Sequence, residues 1–266
     1  MTDELEVEDR GAVRWIWFNR PSVHNAQNVA MLRLLDAELL VLQRDPNVRV
    51  VVIAGRGRSF CSGHDLREMA DNPAYAERSS TAEGRYRQEL ELFVDPVRRI
   101  QDLDVPVVCR VQGHCLAAGM MFVAAADLVV AAEDASFGSP VLERLAVNDA
   151  EVPGFAWLLG ERRAKQAIWL SERITADEAL DCGMVNWVVP LDELDAKVEA
   201  VTDRLVRMPR EGLMLSKAGF RFLARRQGFD DFAAFHYVSH QLSHHTTEAR
   251  TLLDDRVQGE GATKSS

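Results

Sequence analysis

Gly55-Arg56-Gly57-Arg58-Ser59-Phe60-Cys61-Ser62-Gly63-His64-Asp65-Leu66 is the stretch on which the fold turns. It follows Val50-Val51-Val52-Ile53, a continuous β-branched run that reads as a strand buried on both faces, and it leads into a predicted helix. Small residues let backbone approach a ligand closely, and a helix start presents unpaired N–H groups at the positive end of its dipole. A second stretch repeats the design. A predicted strand over 106–111 is followed by Gly113-His114-Cys115-Leu116-Ala117-Ala118-Gly119, then by a helix of small residues running to Ala126. Taken singly, Gly63 and Gly119 need be no more than turn glycines. Taken as a pair, two strand-loop-helix turns can aim their N–H groups at one oxygen, the arrangement of an oxyanion hole.

Outward from these turns the pattern is α/β. Residues 12–18 and 49–54 read as strands, and the helix between them is capped by Asn28 and carries Leu32, Leu35, Leu39 and Leu42 at steps of three and four. That is a β-α-β unit. Residues 71–85 are polar and poor in branched apolar side chains, which predicts a mobile surface segment; helix returns over 88–101. A strand is expected over 127–131, Thr175-Ala176-Asp177-Glu178 is a capping box, and Gly183 closes the short helix it starts. The last strand-like run, 184–189, ends at Pro190; beyond it 192–256 reads as helical, broken near Pro209 and Gly228. The organisation expected is an α/β core over 1–190, a helical region over 191–257 and a disordered tail over 258–266.

The 31 Lys and Arg against 41 Asp and Glu leave a formal charge of −10. That balance argues against nucleic acid or an anionic membrane surface as a partner, while a local Arg cluster can still hold a small anion. Cys61, Cys109, Cys115 and Cys182 lack zinc-type spacing, so no metal is expected, and they suit a reducing compartment. The acidic start Met1-Thr2-Asp3-Glu4-Leu5-Glu6 has no apolar signal-peptide region, and the apolar run 116–126 is too short to span a bilayer. A cytoplasmic protein is the expectation.

Ser59-Phe60-Cys61-Ser62-Gly63-His64-Asp65-Leu66 resembles the S-F-x-x-G-x-D-L signature of the crotonase superfamily, the enoyl-CoA hydratase/isomerase-like proteins. Val105-Pro106-Val107-Val108 through Gln112-Gly113, Leu116-Ala117-Ala118-Gly119, Ala126-Asp127-Leu128, Ser136-Phe137-Gly138-Ser139-Pro140 and Gly183-Met184-Val185-Asn186 continue that resemblance in order, as do Asn19-Arg20-Pro21 and Asn25-Ala26 before it. The resemblance implies a crotonase-like β-β-α superhelix, two roughly perpendicular sheets surrounded by helices, with a C-terminal helical trimerisation region. It implies an acyl-CoA substrate with coenzyme A as part of that substrate, no tightly bound cofactor, and a homotrimer or a dimer of trimers. The backbone N–H groups of His64 and Ala118 would form the oxyanion hole. Coenzyme A would lie along Ser22, Val23 and His24 and along Asp65, Leu66 and Arg67, with Arg67 suited to a phosphate.

One part of the pattern is broken. Where hydratases of this family carry two glutamates, this chain has Met121 and Val141. Neither can activate water or return a proton. Glu143, Asp149 and Glu151 lie just downstream as candidate acid/base groups, and the count without gaps favours Asp149, unless it caps the next helix or faces solvent. One carboxylate suffices for a 1,3-proton shift, so an isomerase or lyase is expected over a hydratase; a thioester hydrolase and a non-catalytic acyl-CoA-binding protein stay open. His114 reads as packed or solvated. His236, His240 and His244 share one helix face, and without a neighbouring carboxylate or thiol they read as structural.

Overall fold

The computed structural model describes residues 4–252. Strands β1 (Leu5–Arg10) and β2 (Val13–Phe18) form an antiparallel hairpin; α1 (Val29–Leu42) then crosses to β3 (Val50–Gly55), which pairs parallel with β2. Asn28 caps α1 through a bond from Met31 N–H, and Leu32, Leu35, Leu39 and Leu42 are its buried face together with Met31. Three short helices follow, α2 (Leu66–Asp71), α3 (Pro73–Ser79) and α4 (Ala82–Glu89), then a π turn at Leu90–Val94 and α5 (Asp95–Asp102). The chain continues through β4 (Val107–Val111), β5 (His114–Leu116), α6 (Gly119–Ala125), β6 (Leu128–Ala132) and β7 (Ser136–Gly138). After α7 (Val141–Leu145), α8 (Val152–Leu159) and α9 (Glu161–Trp169) come β8 (Ile174–Thr175), α10 (Ala176–Asp181) and β9 (Trp187–Val189). From there on only helix is present among the described residues: α11 (Leu194–Arg207), α12 (Arg210–Arg226), α13 (Phe229–Ser243) and a helical stretch over 247–252.

Two sheets result. The larger has the order β1-β2-β3-β4-β6-β9, parallel after its first pair; the smaller is β5-β7-β8. Because side chains alternate across a strand, β3 divides its own residues: Val51 and Ile53 join the core under α1, α5 and α6, while Val50, Val52 and Ala54 join a second core with Trp15, Trp17 and the α11 residues Leu194, Val198 and Val201. Both faces of the large sheet are therefore covered. The Thr175 capping box forms, with Thr175 and Glu178 bonding each other's backbone.

Some expectations need correction. Residues 71–85, expected as a surface segment, are mostly exposed but largely helical. Asn72 accepts from Tyr75 N–H ahead of Pro73, and Thr81 accepts from Gly84 N–H, so caps rather than apolar periodicity start α3 and α4. The run 184–189 forms strand only at Trp187–Val189. The hairpin strand β1, whose six residues include Glu6, Glu8, Asp9 and Arg10, and the three-residue β5 lie outside the strands expected from the sequence. The expected tail, 258–266, lies outside the described residues.

Candidate active site

The two glycine-bearing turns lie side by side. Phe60 N–H donates to Gln112 O (2.8 Å), Cys61 N–H to His114 O (2.9 Å) and Leu116 N–H to Cys61 O (2.9 Å). Gly63 adopts φ +93°, and a Cβ there would stand 2.8 Å from Ala117 Cβ and 3.4 Å from Ala118 N. A Cβ on Gly119 would stand 2.7 Å from Cys61 O. Each glycine is thus packed on the other turn, and a side chain on either would drive the turns apart.

On its far side the first turn pairs with Gln27: Gln27 N–H donates to Gly63 O (2.7 Å) and Asp65 N–H to Gln27 O (2.9 Å). In parallel pairing the residue between two such bonds points its own N–H the other way. That residue is His64, so its N–H faces the second turn. Ala117, at φ +47°, turns the chain into α6, whose first cap residue is Ala118. Among the described residues no hydrogen bond uses the N–H of His64 or of Ala118. Two adjacent backbone donors therefore stand free.

His64, and Ala117 just before Ala118, line a cavity of about 450 Å³, together with Ser62 and Leu66 on the turn side and Tyr75, Glu89, Val141, Glu151, His240 and His244 among others elsewhere. The His64 ring stacks on Phe93 (centroids 3.8 Å apart), its Nε2 is buried without a partner, and burial pushes its pKa down to about 4. A second cavity, of about 450 Å³, shares Ala150 and Glu151 with the first and is lined by Met120, Met121, Phe229 and Tyr237. Glu151 forms part of the wall of both.

The residues expected along coenzyme A gather at the mouth of the first turn. Ser22 and Val23 sit in an exposed 3-10 turn, joined to the first turn by the Ser62 N–H bond to His24 O (3.0 Å). His24 Nδ1 lies 2.8 Å from Ser59 Oγ, and Arg58 reaches His24 Nε2 at 2.9 Å. Leu66 is 46% exposed and Arg67 is exposed, with no ion pair or hydrogen bond among the described residues. Asp65 is differently employed: it caps α2 through Glu68 N–H and pairs with Arg20 at 2.8 Å, so its carboxylate holds the turn in place.

The candidate acid/base groups separate. Glu143 is exposed and lines neither cavity. Asp149 is wholly buried but also lines neither; its Oδ1 accepts from Glu151 N–H (3.1 Å), next to the start of α8, and its Oδ2 has no hydrogen bond of normal geometry. Burial pushes its pKa up to about 6, against smaller opposing effects of Ser139 and His240. Glu151 is the one of the three that faces the cavities. Val141 borders the first cavity and Met121 the second. His114 is exposed, 5.3 Å from the His24 ring, away from both cavities.

The reading of His236, His240 and His244 as lacking a neighbouring carboxylate is corrected. His236 is structural, bonding Asp149 O at 2.7 Å, but His240 Nε2 is 3.2 Å and His244 Nε2 3.8 Å from the buried Glu89. Burial would raise the Glu89 pKa, yet hydrogen bonds from His240 and Gln241 and the nearby histidine charges hold it down to about 2. For His240, burial acts downward and is outweighed by Glu89, so its pKa is raised; burial lowers His244 to about 4. The sequence signal existed in the i, i+4 spacing of the histidines. Their partner lies 151 residues away, at the end of a helix whose polar composition reads as surface.

Residues 8–252 match the family model described as enoyl-CoA hydratase/isomerase. The chain is 32% identical over 252 residues to the "Putative enoyl-CoA hydratase EchA13" of Mycobacterium tuberculosis, covering 90% of this chain and 79% of that protein. It is 32% identical over 219 residues to the short-chain-enoyl-CoA hydratase of Clostridium acetobutylicum, covering 79% of this chain and 78% of the relative. A crystal structure titled probable enoyl-CoA hydratase, from Mycobacterium thermoresistibile, superposes with a TM-score of 0.83 at 32% identity, over 91% of this chain and 96% of the other.

Proposed function

Since the chain belongs to the enoyl-CoA hydratase/isomerase family and has its crotonase fold, we propose that it is an enzyme that binds an acyl-CoA, polarises the thioester carbonyl with the N–H groups of His64 and Ala118, and moves a proton through Glu151. The observation that carries this is the pair of interlocked turns, which leaves those two donors free next to the cavity that His64 and Ala117 line. Negative charge on the thioester oxygen in an enolate is then met by donors already in place, each worth on the order of 10²–10³ in rate. Coenzyme A lies across the exposed Ser22, Val23 and Leu66 and the half-buried His24, with Arg67 near a phosphate; Asp65 serves by fixing the turn.

Isomerase or lyase chemistry is favoured over hydration. Met121 and Val141 supply no carboxylate, and Glu151 is the single acid among Glu143, Asp149 and Glu151 that meets the cavity. Assembly into trimers, or dimers of trimers, fits the apolar side chains that α12 and α13 leave exposed: Phe220 (72%), Phe222, Phe235 and Leu242. Among the described residues no helix is long and apolar enough to cross a membrane.

The test has two arms. Titration with acyl-CoA esters should show saturable binding, and turnover of an enoyl-CoA panel should show double-bond migration or C–C cleavage ahead of hydration. No binding by any ester would end the proposal. Fast hydration unaffected by Glu151→Gln would leave the fold and overturn the mechanism.

A further inference from the structure

The cavity carries a second constellation that the oxyanion reading does not use. Ligand atoms of Glu89, His240 and His244 all lie within 4.8 Å of one another. His240 Nε2 is 3.2 Å from Glu89 Oε2, His244 Nε2 is 3.4 Å from His240 Nε2, and His244 Nε2 is 3.8 Å from Glu89 Oε1. His240 Nδ1 stands 2.5 Å from the Asn148 carbonyl, which can only accept, so the hydrogen is on Nδ1. A neutral His240 would then turn its Nε2 lone pair toward a carboxylate. A proton on Nε2 relieves that clash along one line only, and His244 still faces the cluster without a bonding partner at normal distance.

A cation at the centre satisfies all three lines at once. Around a tetrahedral ion with bonds of about 2.0–2.1 Å, neighbouring ligand atoms lie about 3.3 Å apart, close to the spacings found. We propose that Glu89, His240 and His244 form a binding site for a divalent transition-metal ion of the zinc type, with its fourth position open to the acyl cavity. The outer contacts are of the kind that orient such ligands: Asn148 O on His240 Nδ1, and Gln241 Nε2 on Glu89 Oε2 at 2.6 Å. Arg85, 3.2 Å from Glu89 Oε1, competes for that oxygen and must yield it or share it. One ligand comes from the last turn of α13, one from its C-cap residue His244, and the third from the end of α4, so the site staples the C-terminal helices to the core. His64 lines the same cavity with Nε2 buried and unpartnered, a polar atom that lacks a bond until something occupies the space before it. A bound ion there would hold a water of lowered pKa beside the cavity. Ion binding itself does not depend on the acyl-CoA reading.

The experiment uses the untagged full chain, stripped with chelator and titrated with Zn²⁺ against a colorimetric competitor. One equivalent per chain should bind, weakened at least 100-fold in His244→Ala and in Glu89→Gln, and unchanged in His245→Ala. Co²⁺ should give the absorption bands of a tetrahedral site. His244 is partly exposed, so its loss leaves the core intact, and circular dichroism checks this. No saturable Zn²⁺ binding, or equal binding in all three variants, overturns the proposal. So does a histidine nitrogen NMR spectrum that keeps His240 doubly protonated in excess Zn²⁺. Acyl-CoA affinity, measured separately on the same protein, tells a failed metal site from a failed acyl-CoA reading.

Discussion

The two walls of the first cavity are built from different materials. The turn wall offers backbone: His64 and Ala118 present N–H groups whose positions are set by Gly63, Gly119 and the hydrogen bonds between the turns. The opposite wall offers side chains: Glu151, Glu89, His240 and His244. Backbone donors survive changes of side chain, so the oxyanion role proposed for His64 and Ala118 depends little on residue type. Side-chain chemistry has no such tolerance: Met121 and Val141 carry no group that can transfer a proton. On the proposed reading the turn wall binds the thioester and the side-chain wall moves the proton.

The harshest way to break this comparison is through the glycines. Gly63→Val meets Ala117 Cβ at 2.8 Å and forces a branched residue to φ +93°. Overpacking and backbone strain together should cost about 2–4 kcal/mol in denaturant unfolding. Acyl-CoA affinity should disappear as the turns are driven apart. A folded variant with unchanged affinity would show that the turn wall is not where the thioester binds.

Glu151→Gln sharpens the comparison from the other side. The amide keeps the size of the side chain and removes its proton transfer. Turnover should fall about 10²–10⁴-fold, while acyl-CoA affinity stays within about threefold, since each tenfold is about 1.4 kcal/mol. If affinity and turnover fell together, the walls would not be separable, and Glu151 would be a binding group.

Asp149 makes a smaller and opposite prediction. Its pKa is raised from the usual 3.8 to about 6 by burial, with Oδ2 unpaired. The folded state therefore holds the proton more tightly than the unfolded state. Stability from this group is fully present below about pH 4 and is lost as pH rises through 6, up to about 3 kcal/mol at neutral pH. Asp149→Asn should accordingly stabilise the protein at pH 7 by about 1–3 kcal/mol and change little at pH 4, as thermal melts at the two pH values would show. Destabilisation at pH 7 would mean that the carboxylate is paired in the working protein. A turnover loss matching that of Glu151→Gln would return Asp149 to the acid/base role.

Local and periodic features were legible in the sequence. The strand-loop-helix turns, the leucine face of α1 and the Thr175 capping box each lie within a few residues, so spacing alone reveals them. What spacing cannot show is which distant residues meet. Glu89 sits on a polar helix that reads as surface, and only the return of α13 buries it against His240 and Gln241. Asp149 and Glu151 are two residues apart, and which of them faces the cavity depends on how the chain enters α8. Asp65 belongs to the right neighbourhood, but its pairing with Arg20, 45 residues earlier, sets it to hold the turn.

The mildest test concerns the rim, where neither wall dominates. Arg67 is exposed, lies next to Leu66 at the cavity mouth, and has no ion pair among the described residues. A guanidinium left free beside a predicted phosphate position gains little from the protein and is screened by salt. Arg67→Ala should therefore weaken acyl-CoA binding only several-fold, about 0.5–1 kcal/mol, and the loss should shrink as ionic strength rises. Turnover at saturating substrate should not change, because the contact is the same in ground and transition states. An effect on saturated turnover instead would mean that Arg67 helps to close the mouth over the thioester, and the rim would then count as part of the reaction wall.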